Sequence, residues 1–373
     1  MKNILVFFGG KSSERDVSVI TGVLAVNGTD KDKYNAIPVY IDKTGKWYTG
    51  DALKDVENYK KLDYKKLKRV TLVGGDDSLY VIKKNKLVKA CEIALAVNCL
   101  HGLFGEDGML AGVLSSSGIP LASPDLSGSA VGMDKGIAKD VAKSHNVRAL
   151  PYISVAARDF FSKRRQTIEK IKKTFGYPVI VKPTRLGSSI GIGVAKTDDE
   201  LTDALFTALR YDTTCVIERK LTGFTEVSTA CYRYRGKLVT SKPEINKTQN
   251  EILSFNDKYG GGGEKIADGV KDAKILKTLD RYTKKLYDAL KLNGVVRVDY
   301  LIEKDKVYFN EINTVPGSLA YYFYCRDTLE IPKFLNKLYE EAFVKSNEEN
   351  NLTYDYESDV LELDGIKGGK VRT

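Results

Sequence analysis

Arg297-Val298-Asp299-Tyr300-Leu301-Ile302, then Glu303-Lys304-Asp305-Lys306, then Val307-Tyr308-Phe309-Asn310-Glu311-Ile312-Asn313 is the stretch that decides how this chain is read. Two apolar-rich runs flank a charged break, which predicts a β-hairpin. Residues i and i+2 of a strand share a face. Arg297 therefore shares a face with Asp299, and Glu311 with Asn313. A loop with an odd number of residues, or one bulge, brings the two polar pairs together. Carboxylates plus an amide oxygen are hard ligands suited to Mg²⁺, which also expects phosphate oxygens. A surface hairpin with alternating charges fits badly. Apolar residues surround the polar ones, and Thr314-Val315-Pro316-Gly317 follows at once.

Working outward, Val179-Ile180-Val181-Lys182-Pro183 reads as a strand that ends at Gly187-Ser188-Ser189-Ile190-Gly191-Ile192-Gly193. Glycine lets backbone N–H groups approach an anion, and a lysine adds a point charge. The order Gly-x-x-x-x-Gly-Lys-[Ser/Thr] is absent, so this is not a Walker A loop. A glycine-rich turn alone is weak, but Lys182 and the downstream hairpin strengthen it. Thr214 to Glu218 is a further strand, and Asp134-Lys135 opens a helix to about His145. Glu226 to Tyr234, a glycine run at Gly260 to Gly263 and a helix from about Lys271 to Leu292 precede the hairpin.

Further upstream, residues 3–8 form an apolar strand that runs into Gly9-Gly10, then a helix from roughly Val17 to Asn27. Ala36 to Ile41 and Ile93 to Asn98 are strands, the latter ending at His101-Gly102. Strands separated by helical patterns predict a parallel α/β sheet, with ligands at the carboxyl ends of its strands. Segment 50–90 reads as a helix plus a small hairpin around Thr71 to Leu87.

The chain has 373 residues, too many for one ordinary core. Hydrophobic residues at 42% and charged residues at 29% suit a soluble globular protein. No run approaches the ~18 apolar residues of a membrane span, and the N-terminus reads as a strand, not a signal peptide. Five scattered cysteines without a C-x-x-C pair fit a reducing cytoplasm. The net charge of +10 favours anionic partners, but the basic residues alternate with apolar ones as solvated helix faces do.

Taken in order, several motifs resemble the D-alanine–D-alanine ligases of the ATP-grasp superfamily over roughly residues 3–325. They are Gly9-Gly10-Lys11-Ser12-Ser13-Glu14-Arg15-Asp16-Val17-Ser18, His101-Gly102 with Gly105-Glu106-Asp107-Gly108, and Met133-Asp134-Lys135. Val181-Lys182-Pro183 with its Gly/Ser loop, Asp257-Lys258-Tyr259, Arg297-Val298-Asp299 and Asn310 to Gly317 complete the set. The resemblance implies an α/β protein: a Rossmann-like parallel-sheet domain (1–122) followed by a two-subdomain ATP-grasp fold (123–217 and 218–345), with 346–373 as a polar tail. It implies ATP and two Mg²⁺ ions, with Mn²⁺ as a substitute, and a cytoplasmic homodimer that binds neither nucleic acid nor membrane. It also implies that one D-alanine carboxylate attacks the γ-phosphate and a second D-alanine amine attacks the acyl phosphate.

Carried over by position, the resemblance gives Lys135 and Lys182 the ATP phosphates, with Ser189 in the adjoining loop. Glu218 and Leu221 fall in the adenine hinge, and Glu226 at the ribose. Asp299, Glu311 and Asn313 are the implied Mg²⁺ ligands. Arg297 and the Gly317 N–H are expected to stabilise the tetrahedral intermediate. Asp16, Ser188 and Tyr259 form the group around the first substrate, and Lys258 reaches the transferring phosphate. His101 is expected near the substrate carboxylate.

Three departures fall on the amino-acid pockets. Asp16 stands where the family usually has Glu, and four glycines follow Tyr259. Ser318-Leu319-Ala320-Tyr321 replaces a pattern that supplies the hydroxyl for the second substrate, so Ser318 or a tyrosine takes that place. The closest alternative is the same chemistry with D-serine or D-lactate as second substrate. A dinucleotide-dependent oxidoreductase lacks Gly-x-Gly-x-x-Gly and a suitable ribose acid. A nucleic-acid binder lacks a recognisable module.

Overall fold

The computed structural model describes residues 1–247, 264–353 and 355–358. The first of its three sheets holds β1 (Lys2–Gly9), β2 (Tyr34–Ile41), β3 (Trp47–Thr49), β4 (Lys68–Val73), β5 (Asp76–Lys83), β6 (Lys86–Glu92) and β7 (Leu95–Asn98). Their order is β6-β5-β4-β3-β2-β1-β7. β1 is parallel to β2 and β7, and β3 to β6 extend the sheet antiparallel. Ile4 to Phe8 are fully buried, as a strand covered on both faces requires. Ile4, Val6 and Phe8 share a core with Val19 and Val23 of α1 (Arg15–Gly28). Leu5 and Phe7 share another with Leu110 and Leu114 of α2 (Met109–Ser116). A Cβ on Gly22 would lie 2.2 Å from Phe8 Cγ, so α1 packs this closely only because the residue is bare. The two helices cover opposite faces. The loops after β1 and β7 therefore part, which opens a crevice at their carboxyl ends.

Segment 50–90 departs from expectation. In place of an α-helix it has three 3₁₀ turns, Asp51–Lys54, Val56–Lys61 and Tyr64–Lys66. The Asp55 and Asp63 carboxylates accept the Glu57 and Lys65 N–H groups, and such local caps favour short turns over a long helix. The hairpin is larger than expected, three strands (β4, β5 and β6) instead of two.

The second unit begins with α3 (Leu126–Met133) and α4 (Lys135–Ser144). The Asp134 carboxylate caps α4 by accepting from Gly136 and Ile137 N–H. A sheet of β8 (Tyr152–Ala156), β9 (Val179–Pro183), β10 (Gly193–Ala195) and β11 (Thr214–Arg219) follows, antiparallel in the order β10-β9-β11-β8. Between its strands lie α5 (Ala157–Ser162), α6 (Arg164–Phe175) and α7 (Asp198–Ala208). Ile168, Ile171, Leu201 and Leu205 of α6 and α7 pack on Val179, Val181, Cys215 and Ile217.

The third sheet contains β12 (Phe224–Tyr234), β13 (Lys237–Thr240), β14 (Glu244–Lys247), β15 (Glu264–Ala267), β16 (Val296–Glu303) and β17 (Lys306–Asn313). α8 (Ala273–Ala289) buries Leu279, Leu286 and Tyr287 against it. The deciding hairpin is β16–β17. Its turn is only Lys304-Asp305, and its register shifts between Asp299 and Tyr300. Asp299 faces Glu311 while Tyr300 faces Phe309, so Asn310 is the extra residue of a bulge. The expected bulge is present, and Arg297 faces Asn313 across the strands.

α9 (Ile331–Asn350) turns back to the first unit, and its helix runs through Asn350. Phe334, Leu335 and Leu338 join the core of Phe8, Val19 and Val23. Tyr339 Oη lies 3.0 Å from Thr29 Oγ1, and Asn336 Nδ2 donates to Asp30 Oδ2 at 2.8 Å.

Candidate active site

The hairpin presents its polar face to the first and second units. Arg297 Nε and Nη2 each donate to Asp299 at 2.9 Å, one bond per carboxylate oxygen. This bidentate pairing is the strong form of a charged hydrogen bond. Ser228 Oγ adds a bond to Asp299 Oδ1 at 2.6 Å, and Asn313 Nδ2 one to Oδ2 at 2.9 Å. Asn246 Nδ2 in turn donates to Ser228 Oγ at 2.8 Å. Glu311, opposite Asp299, pairs with Lys135 Nζ at 3.1 Å. The Lys135 ammonium also donates to the Leu186 carbonyl at 2.7 Å.

Asp299, Glu311 and Asn313 thus stand on one patch, beside Lys135. Among the described residues no three His, Cys, Asp or Glu side chains cluster as a metal group. The set here is two carboxylates and one amide. It suits a hard cation whose remaining ligands are phosphate oxygens and water.

Lys182, at the end of β9, is buried with only a narrow exposure. Its Nζ donates to Glu218 Oε2 at 2.8 Å and to Asn310 Oδ1 at 3.0 Å. The bulge is what turns Asn310 toward this lysine. Lys139 Nζ lies 2.7 Å from the other Glu218 oxygen. Burial alone would raise the Glu218 carboxyl, but the charges of Lys139 and Lys182 overcome it and bring it down to about 2. Glu218 is therefore ionised and fully buried, hydrogen-bonded through Oε2 to Lys182 and ion-paired through Oε1 with Lys139. Leu221 packs with Leu150 and Leu301, and Phe224 and Tyr308 border them. Glu226 sits on β12 opposite Leu301 and Asn246.

The crevice of the first sheet supplies the other side. Ser188 and Ser189 both adopt left-handed backbone, φ 53° and 58°. Ser188 Oγ donates to Glu14 Oε1. The expectation for Asp16 is corrected here: Asp16 is exposed and pairs with Arg15 at 2.9 Å, while Glu14 is buried against Ser188. Helical spacing carries the signal. Glu14, Ser18 and Thr21 follow one another at i, i+4 and i+7 on the covered face, and Asp16 shares a face with exposed Ile20. The apparent shortening of the acid by one methylene disappears with this change of residue.

Glu106 lies in the Gly105-Glu106-Asp107-Gly108 motif, and nothing in its local sequence marks it as a site residue. It is buried and accepts from Gly102 N–H at 2.8 Å and Val315 N–H at 3.2 Å. Burial, reinforced by the nearby Glu14 charge, pushes its carboxyl up to about 8. His101 is buried too. Its Nε2 lies 2.9 Å from Thr21 Oγ1, which accepts from Ser318 N–H at 2.9 Å. Burial and then the Arg297 charge lower the imidazole to about 4, so it is neutral near pH 7. His101 thus touches the turn after Gly317 through Thr21. Ser318, Leu319 and Ala320 are all left-handed, with φ 50° to 53°. Leu319 and Ala320 are buried, and a Cβ on Gly317 would meet nothing within 4 Å. Lys258 and Tyr259 lie outside the described residues.

The D-ala D-ala ligase N-terminus family model matches residues 3–124, and the D-ala D-ala ligase C-terminus family model matches 141–330. The D-alanine--D-alanine ligase of Thermosipho melanesiensis is 33% identical over 351 residues, covering 91% of this chain and 92% of that protein. The crystal structure of the D-Alanine-D-Alanine Ligase from Helicobacter pylori superimposes with a TM-score of 0.75 at 26% identity, over 91% of this chain and 98% of that one. The VanG D-Ala:D-Ser ligase from Enterococcus faecalis gives a TM-score of 0.77 at 24% identity, over 91% and 99%. At that identity the likeness is one of fold.

Proposed function

The chain belongs to the D-alanine–D-alanine ligase family, and on that premise we propose that it joins two D-alanines with ATP, through a D-alanyl phosphate, for peptidoglycan precursors in the cytoplasm. The observation that carries this reading is the meeting of Lys135 and Lys182 with the bulged hairpin. Two ammonium groups there face Glu311 and Asn310 beside Asp299. That is a site for a polyphosphate with a divalent cation.

Lys135 and Lys182 bind the phosphates of ATP. The Leu221 cluster takes the adenine beside Glu218, and Glu226 takes the ribose. Asp299, Glu311 and Asn313 would hold Mg²⁺, which would supply positive charge against the phosphate oxygens. Ser228 and Arg297 keep the Asp299 carboxylate oriented. Glu14, tied to Ser188, attracts the ammonium of the first D-alanine. The carboxylate of that substrate then attacks the γ-phosphate, and ADP leaves. The amine of the second D-alanine attacks the acyl phosphate carbonyl. Arg297 and the Gly317 N–H stabilise the developing oxyanion, and phosphate leaves. The Ser318 turn, fixed by Thr21, borders the second substrate.

Phosphate release from ATP and Mg²⁺ tests the reading. D-alanine alone should support release together with dipeptide formation. Release only when D-alanine is paired with D-serine or D-lactate would keep the chemistry and change the second substrate. Silence with every pair, while Lys182→Ala binds ATP like the parent, would overturn the assignment of the nucleotide site.

A further inference from the structure

Lys139 has no part in the mechanism above, yet it is among the most deeply buried charged groups described, at 1% exposure. It lies on α4 four residues after Lys135, so both ammonium groups leave the same face of that helix. Lys135 reaches Glu311 and Lys139 reaches Glu218 Oε1. Besides Glu218, Lys139 Nζ makes a long contact of 3.4 Å to the Phe309 carbonyl and lies 5.9 Å over the Phe309 ring. Glu218 therefore has a lysine nitrogen beside each oxygen, at 2.7 Å and 2.8 Å; burial pulls Lys139 below the ordinary lysine range, and the Glu218 charge opposes that pull.

The two lysines are not equivalent. Lys139 is sealed inside, whereas Lys182 also touches Asn310 at the polar mouth of the hairpin. Lys182 is the one able to turn toward an anion. Its departure from Glu218 would strand a buried carboxylate if no second cation were present, and a stranded buried charge is heavily penalised.

We propose that Lys139 is a positioning residue of the nucleotide site: it holds Glu218 neutralised so that Lys182 can transfer its hydrogen bond to an incoming phosphate group. This rests on the reading of Lys182 as a phosphate ligand. No bond is made or broken; one ammonium exchanges a carboxylate oxygen for a phosphate oxygen. Lys139 acts only through Glu218 and never meets the nucleotide.

The test is calorimetric binding of ATP with Mg²⁺ to the full chain, with steady-state kinetics alongside. Lys139→Met should weaken ATP binding by about tenfold or more, equivalent to one broken charge contact. The KM for D-alanine should move less than about twofold. Lys139→Arg, which keeps the charge, should recover most of the loss. In a Glu218→Gln background the same Lys139→Met change should alter ATP binding by less than about twofold, because the carboxylate it serves is gone. This second pair carries the test if Lys139→Met alone does not fold, as judged by its melting curve. A folded Lys139→Met that binds ATP like the parent would overturn the proposal. So would an equal loss in the Glu218→Gln background. Lys182→Ala separates the two levels: if it binds ATP normally, the phosphate-ligand reading itself has failed.

Discussion

Glu106→Gln should flatten the pH dependence of stability in one window, and the sign follows from the structure. The native carboxyl is pushed from 4.5 up to about 8 by burial, with the nearby Glu14 charge adding to it. The unfolded chain releases this proton near 4.5. Between those values the native state binds one proton more than the unfolded state, so stability falls as pH rises. Each pH unit is worth about 1.4 kcal/mol. From about pH 5.5 to about 7.5 the parent should lose about 3 kcal/mol through this group. Glutamine carries no such proton. It also offers one acceptor oxygen where the parent's two carboxyl oxygens meet the Gly102 and Val315 N–H groups, so the variant should start about 1–3 kcal/mol less stable. Urea unfolding at the two pH values, with the denaturant slope checked for constancy, reads both effects. A Glu106→Gln chain that loses stability with pH as steeply as the parent would refute the argument, whatever its absolute stability.

Three other outcomes are expected. The His101 imidazole is lowered from 6.5 to about 4 by burial and the Arg297 charge, so its contribution is lost as pH falls through that window; His101→Asn should remove up to about 3 kcal/mol of acid sensitivity there in urea titrations. Glu14→Gln should cut kcat/KM for D-alanine by about 10- to 100-fold, because a charged hydrogen-bonding group is removed, whereas exposed Asp16→Asn should stay within about twofold of the parent. Gly22→Ala should lower stability by about 1–3 kcal/mol in thermal melts, since its Cβ meets the Phe8 ring at 2.2 Å.

What could be read from the residues was whatever obeys short-range periodicity. The apolar run of β1, the helix opened by Asp134-Lys135 and the i, i+2 polar pairs of the hairpin are local patterns of this kind. The bulge was foreseeable because Arg297-Asp299 and Glu311-Asn313 have to meet. Its consequence, the turning of Asn310 toward Lys182, was not. Glu14 and Asp16 show the limit at closer range. Both are acids in one motif, and only the burial phase of α1 separates them. Lys139 and Glu218 are 79 positions apart in sequence and meet only in the folded chain, where α4 packs on β17. Segment 50–90 forms short turns in place of a helix because Asp55 and Asp63 cap each turn locally. The return of α9 to the first core has no local signal at all.

That return has a consequence for synthesis. Phe8, Val19 and Val23 belong to the earliest part of the chain, and Phe334, Leu335 and Leu338 that cover them come more than 300 residues later. A growing polypeptide therefore carries the margin of its first core, beside α1 and β7, incompletely covered through most of translation. At roughly 5–20 residues per second, that interval lasts on the order of 15 seconds to a minute. Proteolysis of chains stalled before Ile331 would reveal it as cutting within α1. The last helix acts as a clasp, and a ribosome that stops short of it releases a sticky fragment, not a smaller version of the enzyme.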